Sequence, residues 1–288
     1  MAARKKSLQP VAITPSAAPL PNVIELSKRS LSLLGKNWKQ FAGIGLWYAA
    51  VAAFFGAVAI SGYNVAAVRD QLGGKLLGSI GAYASLIGSG GGVTDQAGSV
   101  YSSVLFVVFS LAVIWALRNV HENSKIRIRD AYYKGMYPLI PFVLVLLVAL
   151  LACIPAILAS GIYQYVMSSG IKAGVELAVW TVVLLIGILL SMYLLVAPIL
   201  ALYIVSLPNM APIAALKSAR LLALSRRWLF VRKMLFLPIV LLLSVGIIVV
   251  PFILLAPAAA QWILAVVGVI VITFAHGYLY ELYRSSME

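Results

Sequence analysis

PNMAPIAALKSARLLALSRRWLFVRK, residues 208–233, carries six cations and no acid, and long apolar runs close it in on both sides. A basic island between two apolar segments of bilayer length is no part of a soluble core, because such flanks have only lipid or one another to bury against. The chain therefore reads as an all-α, polytopic integral membrane protein. Composition agrees: of 288 residues, 63% are hydrophobic and 10% charged, with a mean hydropathy of +1.03. A soluble domain would carry about a quarter charged residues. The net charge of +14 would point to nucleic acid in a soluble protein. Here the cations sit between apolar runs, which makes the acidic partner an anionic lipid headgroup rather than nucleic acid.

Outward from the island, residues 234–280 are nearly continuous apolar sequence. One helix of that length, at about 1.5 Å per residue, would be twice the hydrocarbon thickness, so it must fold back. Pro251 and residues 257–261 mark the turn between a fifth span near 235–255 and a sixth near 262–280. Before the island, 177–207 exceeds the roughly 20 residues a bilayer requires. That fourth span must tilt, kink at Pro198, or project from the bilayer. The third, near 139–162, tolerates Pro141 in its first turn and is expected to kink at Pro155. Spans near 44–63 and 99–117 complete six. Gly45, Ala49, Ala53 and Ala57 recur every fourth residue along the first, a smooth stripe that another helix can approach closely.

Six spans put both termini on one side. Nineteen of the 22 Lys and Arg fall in the N-terminal segment, two islands (118–137 and 208–233) and the C-terminal tail. By the positive-inside rule that side is cytoplasmic, and the expected location is a bacterial inner membrane. Residues 1–22, with four prolines and no apolar run of signal-peptide length, read as a flexible cytoplasmic tail ahead of a single membrane domain over 23–288. Between spans one and two, 76–87 is apolar enough for the outer interface or a shallow re-entrant turn, and the glycines of 88–92 form a linker. Cys153 lies in an apolar run, where a lone thiol acts as a small hydrophobe.

Residues 23–41 read as an amphipathic helix. Ile24, Leu31, Leu34, Trp38 and Phe41 fall on one side, and Lys28, Arg29, Lys36 and Lys39 on the other. It either lies in the headgroup layer or packs on the cytoplasmic ends of spans. In the third island Pro212 suits a first helical turn after an Asn209 cap. Leu221, Leu224 and Trp228 then form an apolar stripe beside Arg220 and Arg227, while Lys217 falls among apolar residues and Arg226 points away. Basic segments thus precede each pair of spans, with Trp38, Tyr137 and Trp228 near the membrane entries. The pattern predicts three degenerate units, each a cytoplasmic helix plus a hairpin of spans, although topology alone also produces basic loops between hairpins.

The run Pro212-Ile-Ala-Ala-Leu-Lys-Ser-Ala-Arg-Leu221, then Trp228, follows Val196-Ala-Pro-Ile-Leu200. It resembles the signature of a bacterial membrane-domain family found attached to some glycerophosphodiester phosphodiesterases and also as stand-alone proteins. Residues 26–38 are similar to the helix that opens those proteins. The resemblance covers about half the chain and implies a helical membrane module. It does not extend to the soluble catalytic barrel with metal-binding acids, so the phosphodiesterase activity is not carried over.

Within the six expected spans there is no Asp, Glu, Lys or Arg. This argues against transport coupled through an intramembrane acid. His121 has no second histidine or cysteine near it in sequence and reads as part of a solvated loop. His276, beside Tyr278, Tyr280 and Tyr283, reads as an interfacial anchor, with a pH-sensitive gate as the alternative. Tyr132, Tyr133 and Tyr137 are placed as further anchors. No serine sits in a nucleophile elbow, and the 88–92 glycines lack the Lys-Ser/Thr of a phosphate loop. The expected protein is thus a non-enzymatic module without cofactor or metal. Its cytoplasmic helices bind anionic lipid, a protein partner or a second copy through Lys28, Arg29, Lys36, Lys39, Lys217, Arg220, Arg226 and Arg227. The alternative is a transporter or channel for a small or lipophilic solute, in which Pro155, Pro198 and Pro251 break helices around a cavity.

Overall fold

The computed structural model describes residues 20–55, 96–122, 124, 126–168, 174–208, 210–224 and 226–287. Most of the expected tail, Ala57, Asn209 and the segment with its re-entrant alternative and glycine linker lie outside them. The described residues form ten helices: α1 (Val23–Lys36), α2 (Trp38–Phe55), α3 (Gln96–His121), α4 (Ile128–Gly135), α5 (Leu139–Ala152), α6 (Ile154–Ser168), α7 (Gly174–Val205), α8 (Pro212–Leu224), α9 (Arg227–Leu255) and α10 (Pro257–Ser285).

Four of them contain stretches long and apolar enough to cross a bilayer: Ser103–His121, Gly174–Val205, Arg227–Ile253 and Trp262–Ser285. α4 and α5 together would make a fifth, bent by 71°. The protein is therefore an all-α, multi-pass membrane bundle. Its outer surface fits that assignment, since Leu144, Leu147, Leu151, Ile157, Leu158, Leu185 and Ile186 are all exposed. An apolar belt of this kind needs lipid against it.

Several boundaries differ from those read in the sequence, each for a local reason. The amphipathic helix expected over 23–41 stops at Asn37, whose amide side chain donates to the Leu33 carbonyl at 3.1 Å and closes off the last turn. The third span is interrupted at Cys153, just ahead of Pro155, because proline cannot supply the next backbone donor. The amide of Ala156 is then held by Ser191 Oγ of α7 at 2.9 Å, so a side chain replaces the missing helical partner. The fourth span needs no break: one helix of 32 residues runs through Pro198. That helix exceeds the bilayer core in length, and its C-terminal third is packed in protein, with Val196, Leu200, Ala201, Tyr203 and Ile204 buried. The fold-back falls at Ala256, which leaves helical conformation at φ −146°, and Pro257 opens the next helix, where its missing N–H costs nothing. Pro251 lies inside α9 instead of marking the turn.

Each short basic helix packs on the end of a long one. α4 lies on α3, α8 on α7 and α1 on α10. Small residues permit the approach. A Cβ on Gly135 would lie 3.2 Å from the Ala112 backbone of α3, and α8 turns Ala215, Ala219 and Ala223 inward. Since lipid tails are as apolar as leucine, close van der Waals packing is what holds such helices together. Of the expected stripe, Gly45 and Ala49 can be followed, while the Ala53 side chain and Ala57 lie outside the described residues. A Cβ on Gly45 would meet Val269 of α10 at 2.7 Å, whereas Ala49 is exposed.

Candidate functional site

The C-terminal ends of α3, α7 and α10 meet at one end of the bundle, where the three short helices also pack, and the described Lys and Arg are carried by the short helices, by the last turns of α3 and α10 and by the first turns of α2 and α9, N-caps included. The interior of this end is polar and aromatic. The Tyr203 hydroxyl of α7 lies 3.2 Å from His276 Nδ1 of α10, within hydrogen-bond distance. The Tyr203 ring also contacts Tyr280 and Tyr283. Tyr278 is fully buried and donates to the Lys233 carbonyl of α9 at 3.1 Å. These tyrosines and His276 therefore face inward and join helices; they are not anchors in the headgroup layer. The reason is their place on α10, whose last turns are enclosed by α1, α3 and α7.

His121 is likewise no part of a solvated loop. It closes α3, stacks on Tyr280 with 5.3 Å between ring centroids, and accepts a hydrogen bond from Arg284 at Nδ1. Its Nε2 lies 2.9 Å from Glu281 Oε1. No hydrogen bond joins these two atoms. Glu281 is buried, as is Lys233, whose ammonium donates to the Pro21 carbonyl at the entry to α1. Both ionisable groups fall just outside the expected spans, but the helices carrying them extend further than expected, so the apolar segments end in buried charge. Their position at the rims of apolar runs was the only sequence signal for them.

Of the expected contact residues, Lys28, Arg29, Lys36, Lys39, Lys217 and Arg220 are exposed, whereas Arg226 and Arg227 are half-buried. Arg29 pairs with Glu25 at 2.6 Å on the same face of α1. Arg227 lies over the Tyr193 ring, 4.9 Å from its centroid. The apolar stripe expected through Leu221, Leu224 and Trp228 does not lie on one helix, because the chain breaks after Leu224 and Trp228 belongs to α9.

The outward faces of α1 and α8 correspond. α1 buries Leu26 and Ser30 against the bundle and exposes Ile24, Lys28 and Leu31. α8 buries Ala215, Ala219, Leu222 and Ala223 and exposes Ile213, Lys217, Arg220, Leu221 and Leu224. Trp38 and Trp228, each in the first turn of the following helix, are 61% and 67% exposed, which marks the level at which each chain enters the apolar belt. Tyr133 and Tyr137 are exposed as expected, while Tyr132 turns inward to donate to the Ile44 carbonyl at 2.8 Å.

Among the described residues, no group of three or more His, Cys, Asp or Glu is placed to hold a metal ion. No protein family, curated protein or solved structure matches the chain.

Proposed function

We propose that the protein is a non-enzymatic multi-pass module of a bacterial inner membrane, which engages anionic lipid through its basic, cytoplasmic end. The observation that carries this reading is the mixed apolar and basic outward face shared by α1 and α8. Each helix is fastened to the bundle on one side and presents isoleucine, leucine and cations together on the other. A face of that composition suits the headgroup boundary, where apolar side chains reach acyl carbons and each cation near an anionic surface contributes about 1 kcal/mol.

Six spans in three helix-plus-hairpin units form part of the proposal. Support comes from the packing order: each short helix rests on the second long helix of the unit before it, and α1 rests on α10, the last helix of the last unit. Since α4 and α8 directly follow the helices they rest on, the placement of α1 on α10, the most distant helix in the chain, carries most of that support. The membrane-domain family resemblance stays within the same reading and concerns the membrane portion only.

Transport would draw on the interruption at Cys153, since broken helices line many substrate sites. Here Ser191 holds the freed amide, and a Cβ on Gly187 would lie 2.5 Å from Ala159 and 2.9 Å from the Pro155 carbonyl. Contacts this tight support a packed joint over a cavity.

The test is lipid enrichment around the full chain in nanodiscs of mixed phosphatidylcholine and phosphatidylglycerol. Native mass spectrometry of the released protein should show phosphatidylglycerol over-represented among the bound lipids. The Lys28→Gln, Lys217→Gln, Arg220→Gln variant should lose that enrichment. Equal enrichment in both would sink the proposal, and a stoichiometric protein adduct in place of lipid would redirect it to a protein partner.

A further inference from the structure

Between α3, α4 and the end of α7 lies a half-open cavity of about 410 Å³. Its wall includes Arg118 and Lys134, the hydroxyl-bearing Tyr133, Tyr137 and Ser206, and no carboxylate. Leu111 and Trp115 supply apolar surface to the same cavity. The two cations come from different helices and are brought together because α4 packs closely on α3 at Gly135. Each pairs with an acid four residues away in sequence, Arg118 with Glu122 at 3.3 Å and Lys134 with Asp130 at 3.6 Å. Such exposed pairs four residues apart are weak and exchange readily for a better anion.

We infer that this cavity is a specific site for the phosphate of one anionic phospholipid, distinct from the diffuse contact of the outward helix faces but resting on the reading that the basic end meets anionic lipid. Arginine and lysine supply charge and several donors to a tetrahedral anion, and tyrosine and serine hydroxyls can satisfy its remaining oxygens or a glycerol headgroup. Basic pockets between spans on the cytoplasmic side are where such headgroups bind.

The surroundings favour a lipid over a soluble phosphate. Tyr137 and Pro138 line the cavity, and α5 begins at the next residue. Along α5 a stripe of Ile140, Leu144, Leu147 and Leu151 is exposed by 72%, 48%, 50% and 62%. The spacing of four, three and four residues keeps these side chains on one face. A phospholipid with its phosphate in the cavity can lay an acyl chain along that stripe. The stripe belongs to the lipid-facing belt, so the cavity opens where a headgroup and its acyl chains are already at hand.

The experiment is native mass spectrometry of the full, delipidated chain titrated with dioleoylphosphatidylglycerol, dioleoylphosphatidylcholine or inorganic phosphate. One phosphatidylglycerol should bind ahead of all others, more tightly than phosphatidylcholine, and inorganic phosphate should not displace it. Arg118→Gln with Lys134→Gln should weaken that first event by about tenfold or more. Glu122→Gln with Asp130→Asn, which frees both cations, should tighten it, an effect that misfolding does not produce. An unchanged first event in the Arg118→Gln, Lys134→Gln variant overturns the inference, as does displacement of the lipid by inorganic phosphate. The Lys28, Lys217 and Arg220 substitutions should leave the first event intact while abolishing general enrichment. Loss of the cavity lipid and loss of enrichment are therefore separate readings, and either proposal can fail without the other.

Discussion

Ser30 of α1 and Gly277 of α10 touch so closely that a Cβ on the glycine would stand 2.6 Å from the serine Oγ. Leu34 is next nearest, at 3.4 Å. The contact is one of those that fasten the first basic helix to the last long one, beside buried Leu26 and the Lys233 bond to the Pro21 carbonyl. Gly277→Ala should be mild, because the Ser30 hydroxyl has no hydrogen-bond partner and can rotate away. Gly277→Val has bulk that a rotation cannot clear and should destabilise by about 1–3 kcal/mol, the usual range for overpacking. Ser30→Ala alone should be nearly neutral and should recover part of the loss when combined with Gly277→Val. Thermal unfolding in a fixed detergent reads the wild type and all four variants, and equal midpoints for the wild type and Gly277→Val would refute the contact.

The break in the third span gives a second prediction. Ser191 is the partner of the Ala156 amide, and the serine is only 3% exposed. Ser191→Ala removes the acceptor and leaves a donor without water, which should cost about 1–3 kcal/mol. The specific signature is faster hydrogen exchange at the Ala156 amide, with little change along α3. Exchange that stays slow would mean that a helical carbonyl already holds this amide.

A buried acid and an exposed ion pair should behave differently. Glu281 is 8% exposed and faces His121, which in turn accepts from Arg284. Glu281→Ala removes a buried carboxylate that faces His121 and should cost about 1–3 kcal/mol, with little dependence on salt. Glu25→Gln breaks an exposed pair with Arg29 and should cost no more than about 0.5 kcal/mol, falling further in salt. Similar losses for both would show that the α10 cluster is wet.

Much of this fold was legible because hydropathy and proline act locally. Pro257 opens α10 and Pro212 opens α8 where the sequence placed a turn and a helix start. Which face of each helix turns inward was not legible. The periodicity of 23–41 assigned Ile24, Leu31 and Trp38 to the apolar side, yet the bundle takes Leu26 and Ser30 and leaves those three exposed. The spacing of apolar residues cannot separate a face that meets protein from one that meets lipid, since both are apolar. Tyr203, Lys233 and Glu281 were missed for a related reason. Their partners are His276, Pro21 and His121, tens to hundreds of residues away, and no local spacing encodes such pairs.

Sidedness is the prediction on which the three-unit reading depends. Cys153 is the chain's single cysteine, so Cys153→Ser gives a background without thiols. Into it, Lys36→Cys, Lys134→Cys and Lys217→Cys place one exposed thiol on each short basic helix or at its end. If the three helices rest at one end of the bundle, a membrane-impermeant maleimide should label all three from the same side, and by the positive-inside rule only when the cytoplasmic face is open to the reagent. Thr94→Cys, between the expected first and second spans, and Lys172→Cys, between the third and fourth, lie in two of the three segments expected to face outward and should label from the opposite side. Labelling of Lys134→Cys from the outer face would remove α4 from the basic end, and with it both the threefold order and the cavity that α4 helps to form.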